Sequence, residues 1–305
     1  MQAGRMGFTH HLVFFAASIN KRRRRIDMFQ YAVRGHDMKN CPRPKDLAKK
    51  IAHFQLNNVQ FAMTKSFPDI GDLTSMNPGL GTFFKQTFAA EGIQIALLSC
   101  YSNLIHPDLE KREALLTRFE RYLAHAKYFG AAMVASETGS VLPEMGYTEE
   151  NFSDAAFEDL VGVIQRLVAY AEKQQVMVGI EAGLNHPLYS LDRIELLLER
   201  VPSAYLGIIF DPTNLITSDD YPMQATITEE AFARFGDSIV CLHLKDYRIT
   251  DSQLQVVPLG DGGCIQYQKI LDIVVRYKPY CYVVLEGTTD AALPRALELL
   301  SAYNR

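Results

Sequence analysis

Four residues stand out because each sits at the end of an apolar run. VMVGIE closes on Glu181, LGIIFD on Asp211 and YCYVVLE on Glu286, while SIVCLHLK carries His243 close to its end. Short aliphatic runs of this kind read as buried strands, and an unpaired carboxylate at the end of a buried strand is costly. Three such carboxylates drawn to one place repel one another and do not all ionise cheaply. A divalent cation resolves that repulsion. Three carboxylates and one imidazole form a mostly hard-oxygen donor set, which favours Mn2+ or Mg2+, with Co2+ or Zn2+ as alternatives. A closed structural zinc site needs thiolates that this set lacks.

The four side chains can meet only if their strands are neighbours. From about residue 28 onward, short apolar runs alternate with helical patterns in eight units. The strands read as 29–33, 59–63, IQIALLSC, AAMVASE and then the four runs above. Helices are expected near 44–53, 80–91, 109–128, 152–174, over SLDRIELLLERV, and near 229–235 and 291–303. Asp108 and Ser190 are the N-cap candidates. Continuous aliphatic strands suit parallel pairing with both faces covered, and strand–helix alternation implies right-handed crossovers. Eight units in about 275 residues predict a closed (β/α)8 barrel. No GxGxxG follows the first strand and no GxxxxGK[ST] occurs in the sequence, which counts against the dinucleotide and P-loop folds. In a (β/α)8 barrel the strand ends carry the chemistry, and strands five to eight lie roughly 4.8 Å apart from neighbour to neighbour. Their ligand-type residues then line one arc of the rim. The loop YRITDSQLQVVPLGDGG after the seventh strand is long and is expected to cover the site.

The five cysteines (Cys41, Cys100, Cys241, Cys264, Cys281) are scattered and form no CxxC pair, as expected of reduced thiols in a cytoplasmic protein. No apolar run approaches the ~18 residues that span a bilayer, so no membrane partner is expected. Residues 1–27 differ from the rest. Their six basic residues (Arg5, Lys21 and Arg22 to Arg25) outweigh Asp27 by +5, so a chain of net charge −4 leaves −9 for residues 28–305. The basic cluster follows the apolar HLVFFAASIN, the reverse of a secretory signal. We expect residues 1–27 to be a disordered extension or a start-site artefact, with one catalytic barrel over 28–305.

From about residue 28 to its end the chain resembles the xylose isomerase-like sugar phosphate isomerase/epimerase family. The resemblance is carried by NLIHPD, IEAGLNHPL, FDPTNL, HLKD, and PLGDG leading to VVLEG. It implies a TIM barrel holding one divalent metal ion on Glu181, Asp211, His243 and Glu286, the same four residues. It also implies a carbohydrate substrate and proton transfer beside a carbonyl, with Glu181 and Glu286 as paired acid and base. Removing the carbon-bound proton of a ketose gives an enediolate. Returning a proton to the opposite face gives epimerisation, and returning it to the neighbouring carbon gives isomerisation. An inosose-type dehydratase or a non-catalytic sugar-binding barrel are the alternative readings on the same scaffold.

Further candidates surround this set. His186 looks similar to a substrate-contacting loop position of the family, or it simply opens the following helix. His106 lies after the third strand, where it contacts substrate or holds its loop. Lys245 shares a strand face with His243, so it holds a substrate oxygen or phosphate, or pairs with Asp246 or Glu286. Arg34, His36 and Glu137 are rim residues, Gly260 and Gly262 serve turns, and His53 and His125 are structural. One departure matters. Many epimerases of the family, and its apurinic endonucleases, carry histidine three residues after the strand-six aspartate, and here that residue is Asn214. Substrate identity is the property this touches. The missing histidine and the −9 charge both count against a nucleic-acid substrate, since DNA binding rests on a basic surface. The substrate partner expected is a small carbohydrate, with self-association of the barrel left open.

Overall fold

Alternation along each strand divides this protein into two cores. The computed structural model describes residues 29–70 and 75–303, so the extension expected over 1–27 lies outside the described residues. Eight parallel strands close a barrel: β1 (Gln30–Arg34), β2 (Asn58–Phe61), β3 (Gln94–Ser99), β4 (Met133–Glu137), β5 (Met177–Glu181), β6 (Leu206–Phe210), β7 (Ile239–Leu244) and, after a hairpin of β8 (Asp246–Thr250) and β9 (Gln253–Val257), β10 (Tyr282–Leu285). Round the barrel the order is β1-β10-β7-β6-β5-β4-β3-β2, so β5, β6, β7 and β10 are consecutive neighbours. This is the (β/α)8 TIM barrel that the strand–helix alternation predicts.

Helices cover the outside: α1 (Pro44–His53), α2 (Met63–Ser66), α3 (Pro78–Ala89), α4 (Leu109–Phe129), α5 (Asp154–Gln174), α6 (Leu191–Arg200), α7 (Gln224–Phe235), α8 (Tyr267–Tyr277) and α9 (Leu293–Leu300). Both expected caps are in place. Asp108 accepts from the amides of Glu110 and Lys111, and Ser190 from that of Arg193. Helix α7 starts at Gln224, five residues before the expected 229, because buried Gln224 and Thr228 extend its inward face. The short α2 was not foreseen. One turn carries too little periodicity to be read.

Outward-pointing residues such as Val33, Val178, Ile208 and Leu242 pack under the helices in the larger core. Inward-pointing Ala32, Met133, Ala135, Ile209, Cys241 and Val284 fill the lumen as a separate plug. Two glycines let that plug close. A Cβ on Gly207 would lie 2.6 Å from Val240 Cγ2, and one on Gly179 would lie 3.1 Å from Ile209 Cδ1. The next inward positions above Gly179, Ile209, Cys241 and Val284 are Glu181, Asp211, His243 and Glu286, since inward residues recur every second position. The acids therefore stand on a solid apolar floor.

The segment after β7 is ordered, not an irregular loop. YRIT and QLQVV pair antiparallel from Asp246↔Val257 to Thr250↔Gln253. Asp251 (φ 50) and Ser252 (φ 59) form a two-residue turn with both φ angles positive, the requirement of a type I′ hairpin. The hairpin leans over the end of β10, where a Cβ on Gly287 would sit 3.8 Å from Val256 Cγ1.

Candidate metal centre

Glu181, Asp211, His243 and Glu286 converge at the C-terminal mouth of the barrel. One ligand atom from each lies within 4.8 Å of the others. Glu181, Asp211 and His243 are buried, and Glu286 reaches the solvent edge. His243 Nδ1 stands 2.8 Å from Glu286 Oε2 and 3.2 Å from Glu181 Oε1. Asp211 Oδ1 accepts from the amide of Thr213 at 2.8 Å, which fixes the carboxylate in the turn after β6.

Cationic side chains surround the carboxylates. Lys245 Nζ lies 3.0 Å from Asp211 Oδ2 and 3.2 Å from Glu286 Oε1, and donates to Asn214 Oδ1 at 2.6 Å. Arg34 Nη1 donates to Glu286 Oε1 at 2.9 Å, while its Nε and Nη2 are held by Asp37 at 2.8 and 3.1 Å. Asp37 in turn accepts from the amide of Gly287 at 3.0 Å.

These arrangements set the protonation of the cluster. Burial pushes Asp211 up to about 6, against the pull of Lys245. Burial also works to raise Glu286, but Lys245, His243 and Arg34 outweigh it and hold that carboxyl well below its usual range. His243, disfavoured as a cation by burial, is nonetheless raised to about 10 by Glu181 and Glu286. Glu137, the register partner of Glu181 on β4, is raised by burial and by the Glu181 charge. Two charges about 4 Å apart interact by about 4 kcal/mol at an effective dielectric near 20, so like charges this close need compensation.

The residues fit a divalent ion. Asp211 Oδ2 is buried and, although near Lys245, has no hydrogen bond of acceptable geometry; His243 Nε2 is likewise buried without a partner. The donor set of three carboxylates and one imidazole is the one that hard divalent ions take.

Not every sequence candidate joins the cluster. Asn214 does: its Nδ2 donates to Glu181 Oε1 at 2.8 Å and its Oδ1 accepts from Lys245, so it links the two. Lys245 pairs with Glu286 and Asp211, not with Asp246. The Asp246 carboxylate turns away to accept from the amides of Tyr247, Gly260 and Ile265. His186 stands by Asn214 at the mouth, both within 3.4 Å of a Cβ on Gly183, and its Nδ1 is 2.8 Å from Gly139 O. His106 is occupied locally, its Nδ1 accepting from the amide of Asp108 at 3.0 Å. Gly260 (φ 92) and Gly262 (φ 77) make the turns expected of them.

Three further contacts have no signal in the sequence. Asp37 orients Arg34, Asp246 ties the ends of the hairpin segment, and Tyr101 accepts from Gln60 Nε2 at 3.1 Å beneath Lys65. Asp37 and Tyr101 are unremarkable polar residues of turn and loop, Asp246 opens β8, and nothing in their spacing signals the partner.

With barrel and cluster described, comparison places the chain. A family model described as xylose isomerase-like TIM barrel matches residues 59–303, and the chain belongs to that family. Among solved structures it is similar to a probable 3-DHS dehydratase, AsbF, involved in petrobactin synthesis in Bacillus anthracis (14% identity, TM-score 0.70, covering 90% of this chain and 99% of that one). A D-tagatose 3-epimerase-like protein matches at 14% identity and TM-score 0.69, covering 90% of this chain and 97% of that one. The IOLI protein, with a bound zinc atom, matches at 14% identity and TM-score 0.67, covering 90% of this chain and 98% of that one. At such identities the likeness is one of fold. No curated protein matches the sequence.

Proposed function

We propose that this protein is a divalent-metal-dependent isomerase or epimerase of a ketose sugar or sugar phosphate, with Glu181, Asp211, His243 and Glu286 holding the ion. The observation that carries this reading is the convergence of four ligand atoms within 4.8 Å on four adjacent strands. When bound, the ion supplies Lewis-acid polarisation of a carbonyl and a neighbouring hydroxyl.

The protein's own groups handle the protons. Glu181 or Glu286 takes the proton from the carbon beside the carbonyl, and the C–H electron pair becomes the C=C bond of an enediolate. The two carboxylates sit on β5 and at the end of β10, opposite flanks of the arc. Delivery from the second flank to the opposite face inverts the centre. Return of the proton to the former carbonyl carbon moves the carbonyl instead. Lys245, the ammonium between Asp211, Asn214 and Glu286, keeps positive charge where a substrate oxygen becomes anionic. His186 and Asn214 border the same space and bind substrate hydroxyls, whereas His106 holds the loop after β3.

Likeness to a probable dehydratase supports a second reading, a lyase that uses the same base and then expels a hydroxyl. The two separate in one experiment. The purified chain is assayed for bound metal and then incubated with Mn2+ and a ketose panel in D2O, followed by proton NMR. Isomerase or epimerase action washes deuterium into the carbon beside the carbonyl with no loss of water. A dehydrated product assigns the lyase. A chain that retains no divalent ion and exchanges no proton with added Mn2+ sinks both.

A further inference from the structure

Beyond Arg34 and Lys245, further basic groups gather at the barrel mouth. Glu181, Asp211 and Glu286 occupy the arc from β5 to β10, whereas the turn after β1 and helix α2 bring basic groups to the other side. Between that turn and α2 lies a cleft of about 680 Å³, a size that accepts a small molecule. His36, Lys39 and Lys65 line it, Met38, Leu47 and Phe67 supply apolar wall, and no aspartate or glutamate takes part. In a chain of net charge −4 this is a local reversal of sign.

The basic groups are available and oriented. Among the described residues the lysines in ion pairs are Lys50 and Lys245, and neither Lys39 nor Lys65 has such a partner. Lys65 Nζ rests 4.0 Å over the ring of Tyr101, and His36 meets the same ring edge-on at 5.9 Å. One half-buried aromatic ring thus positions a cationic group, Lys65, and a neutral hydrogen-bonding one, His36, whose imidazole is held down at about 4 by burial and Arg34. Gly35 keeps the walls close, since a Cβ there would lie 3.2 Å from Leu47 Cδ2 and 3.4 Å from Ser66 Oγ. The cleft also adjoins the carboxylate arc, because Arg34, two residues before His36, donates to Glu286.

The geometry points to an anion subsite: Lys65, with His36 and Lys39, receives the terminal phosphate or carboxylate of a ketose whose carbonyl end lies at the Glu181–Glu286 arc. It rests on the ketose reading given above and narrows the substrate to an acidic sugar. A strongly hydrated ammonium on a flexible stem suits a terminal anion as a point charge.

The test uses the full chain loaded with Mn2+. Inorganic phosphate is titrated calorimetrically into the wild type, Lys65→Gln, and Lys173→Gln, an exposed lysine of α5. Phosphate binding should weaken at least tenfold in Lys65→Gln and not in Lys173→Gln. A ketohexose, its 6-phosphate and its terminal carboxylate are then compared. In the wild type at least one acidic ketose should show a KM at least tenfold below the neutral one. Lys65→Gln should erase that ratio and Lys65→Arg preserve it, and whichever acid loses its advantage identifies the anion. Equal phosphate affinity in wild type and Lys65→Gln overturns the subsite, as does a neutral ketose used as well as both acids. If no ketose is turned over, the ketose reading fails by itself, and the phosphate titration still decides the subsite.

Discussion

The two glutamates of the arc are held in opposite ways. Glu181 is buried and meets a neutral amide, Asn214, together with His243. Glu286 lies nearer solvent and is gripped by Arg34, Lys245 and His243. A carboxylate gripped by three cationic groups is fixed in place, whereas one held by an amide and a single imidazole has fewer charge-assisted contacts. The difference teaches that a near-symmetric pair of acids need not share its work equally. Under the proposed function Glu181 would then serve as the mobile base and Glu286 as the permanent ligand.

The sharpest way to break the comparison is Glu181→Gln. Turnover should fall by roughly 10²–10⁴-fold, the range for removal of a general base, with steady-state kinetics as the measurement. Equal retention of activity in Glu181→Gln and loss in Glu286→Gln would reverse the roles. Next comes Lys245→Met, which leaves Asp211 and Glu286 with one cation fewer. Breaking a buried pair from one side costs about 3–5 kcal/mol, so urea unfolding of chelated protein should show a loss of that order. Saturating Mn2+ should return part of it, because a ligand bound by the native state stabilises it.

A smaller effect concerns pH. The folded-state pKa of His243 is raised to about 10 from an ordinary 6.5. Its imidazolium therefore contributes stability that is complete below about 6.5 and is lost as pH climbs through about 10. The chelated protein should lose Tm over that window. The metal-loaded protein should lose less, since binding displaces that proton. Asn214→Leu gives the smallest change. It removes hydrogen bonds to two charged groups, Glu181 and Lys245, each worth about 1.5–3 kcal/mol, and should lower kcat/KM by roughly ten- to hundredfold. Arg34→Leu, tested beside it, should act on metal affinity more than on kcat if the two flanks differ as described.

Much of the site could be read from the sequence because a parallel barrel makes its strands simple. Buried on both faces, they appear as unbroken aliphatic runs, and a carboxylate or imidazole at the end of one is conspicuous. Glu181, Asp211, His243 and Glu286 were visible for that reason, and their convergence followed from strand order. The partners were not visible. Arg34 reaches Glu286 across 252 positions of chain, and its orienting Asp37 sits in an ordinary turn. The hairpin carries a period-2 signal of its own, because apolar and polar residues alternate in YRIT and QLQ on either side of Asp251 and Ser252, and their burial alternates with them. Only the exposure of the segment makes it resemble a loop. Lys245 was placed correctly on the inward face, but its choice of Asp211 over Asp246 depends on which way the next residue turns.

That turn at Asp246 has a consequence for how the barrel can vary. The Asp246 carboxylate accepts from Tyr247 and, 19 residues on, from Ile265, while the Cys264 amide donates to Tyr247 O at 2.7 Å. The chain thus leaves the barrel and rejoins it at one clasped point, directly beside Lys245. A segment fastened this way behaves as a cassette. The hairpin residues 248–256 can be lengthened, trimmed or exchanged without disturbing Lys245. Gly260, whose amide donates to Asp246, and Gly263, where a Cβ would lie 1.8 Å from Asp246 Oδ1, belong instead to the clasp. The roof over the mouth can therefore diversify while the floor beneath it stays fixed.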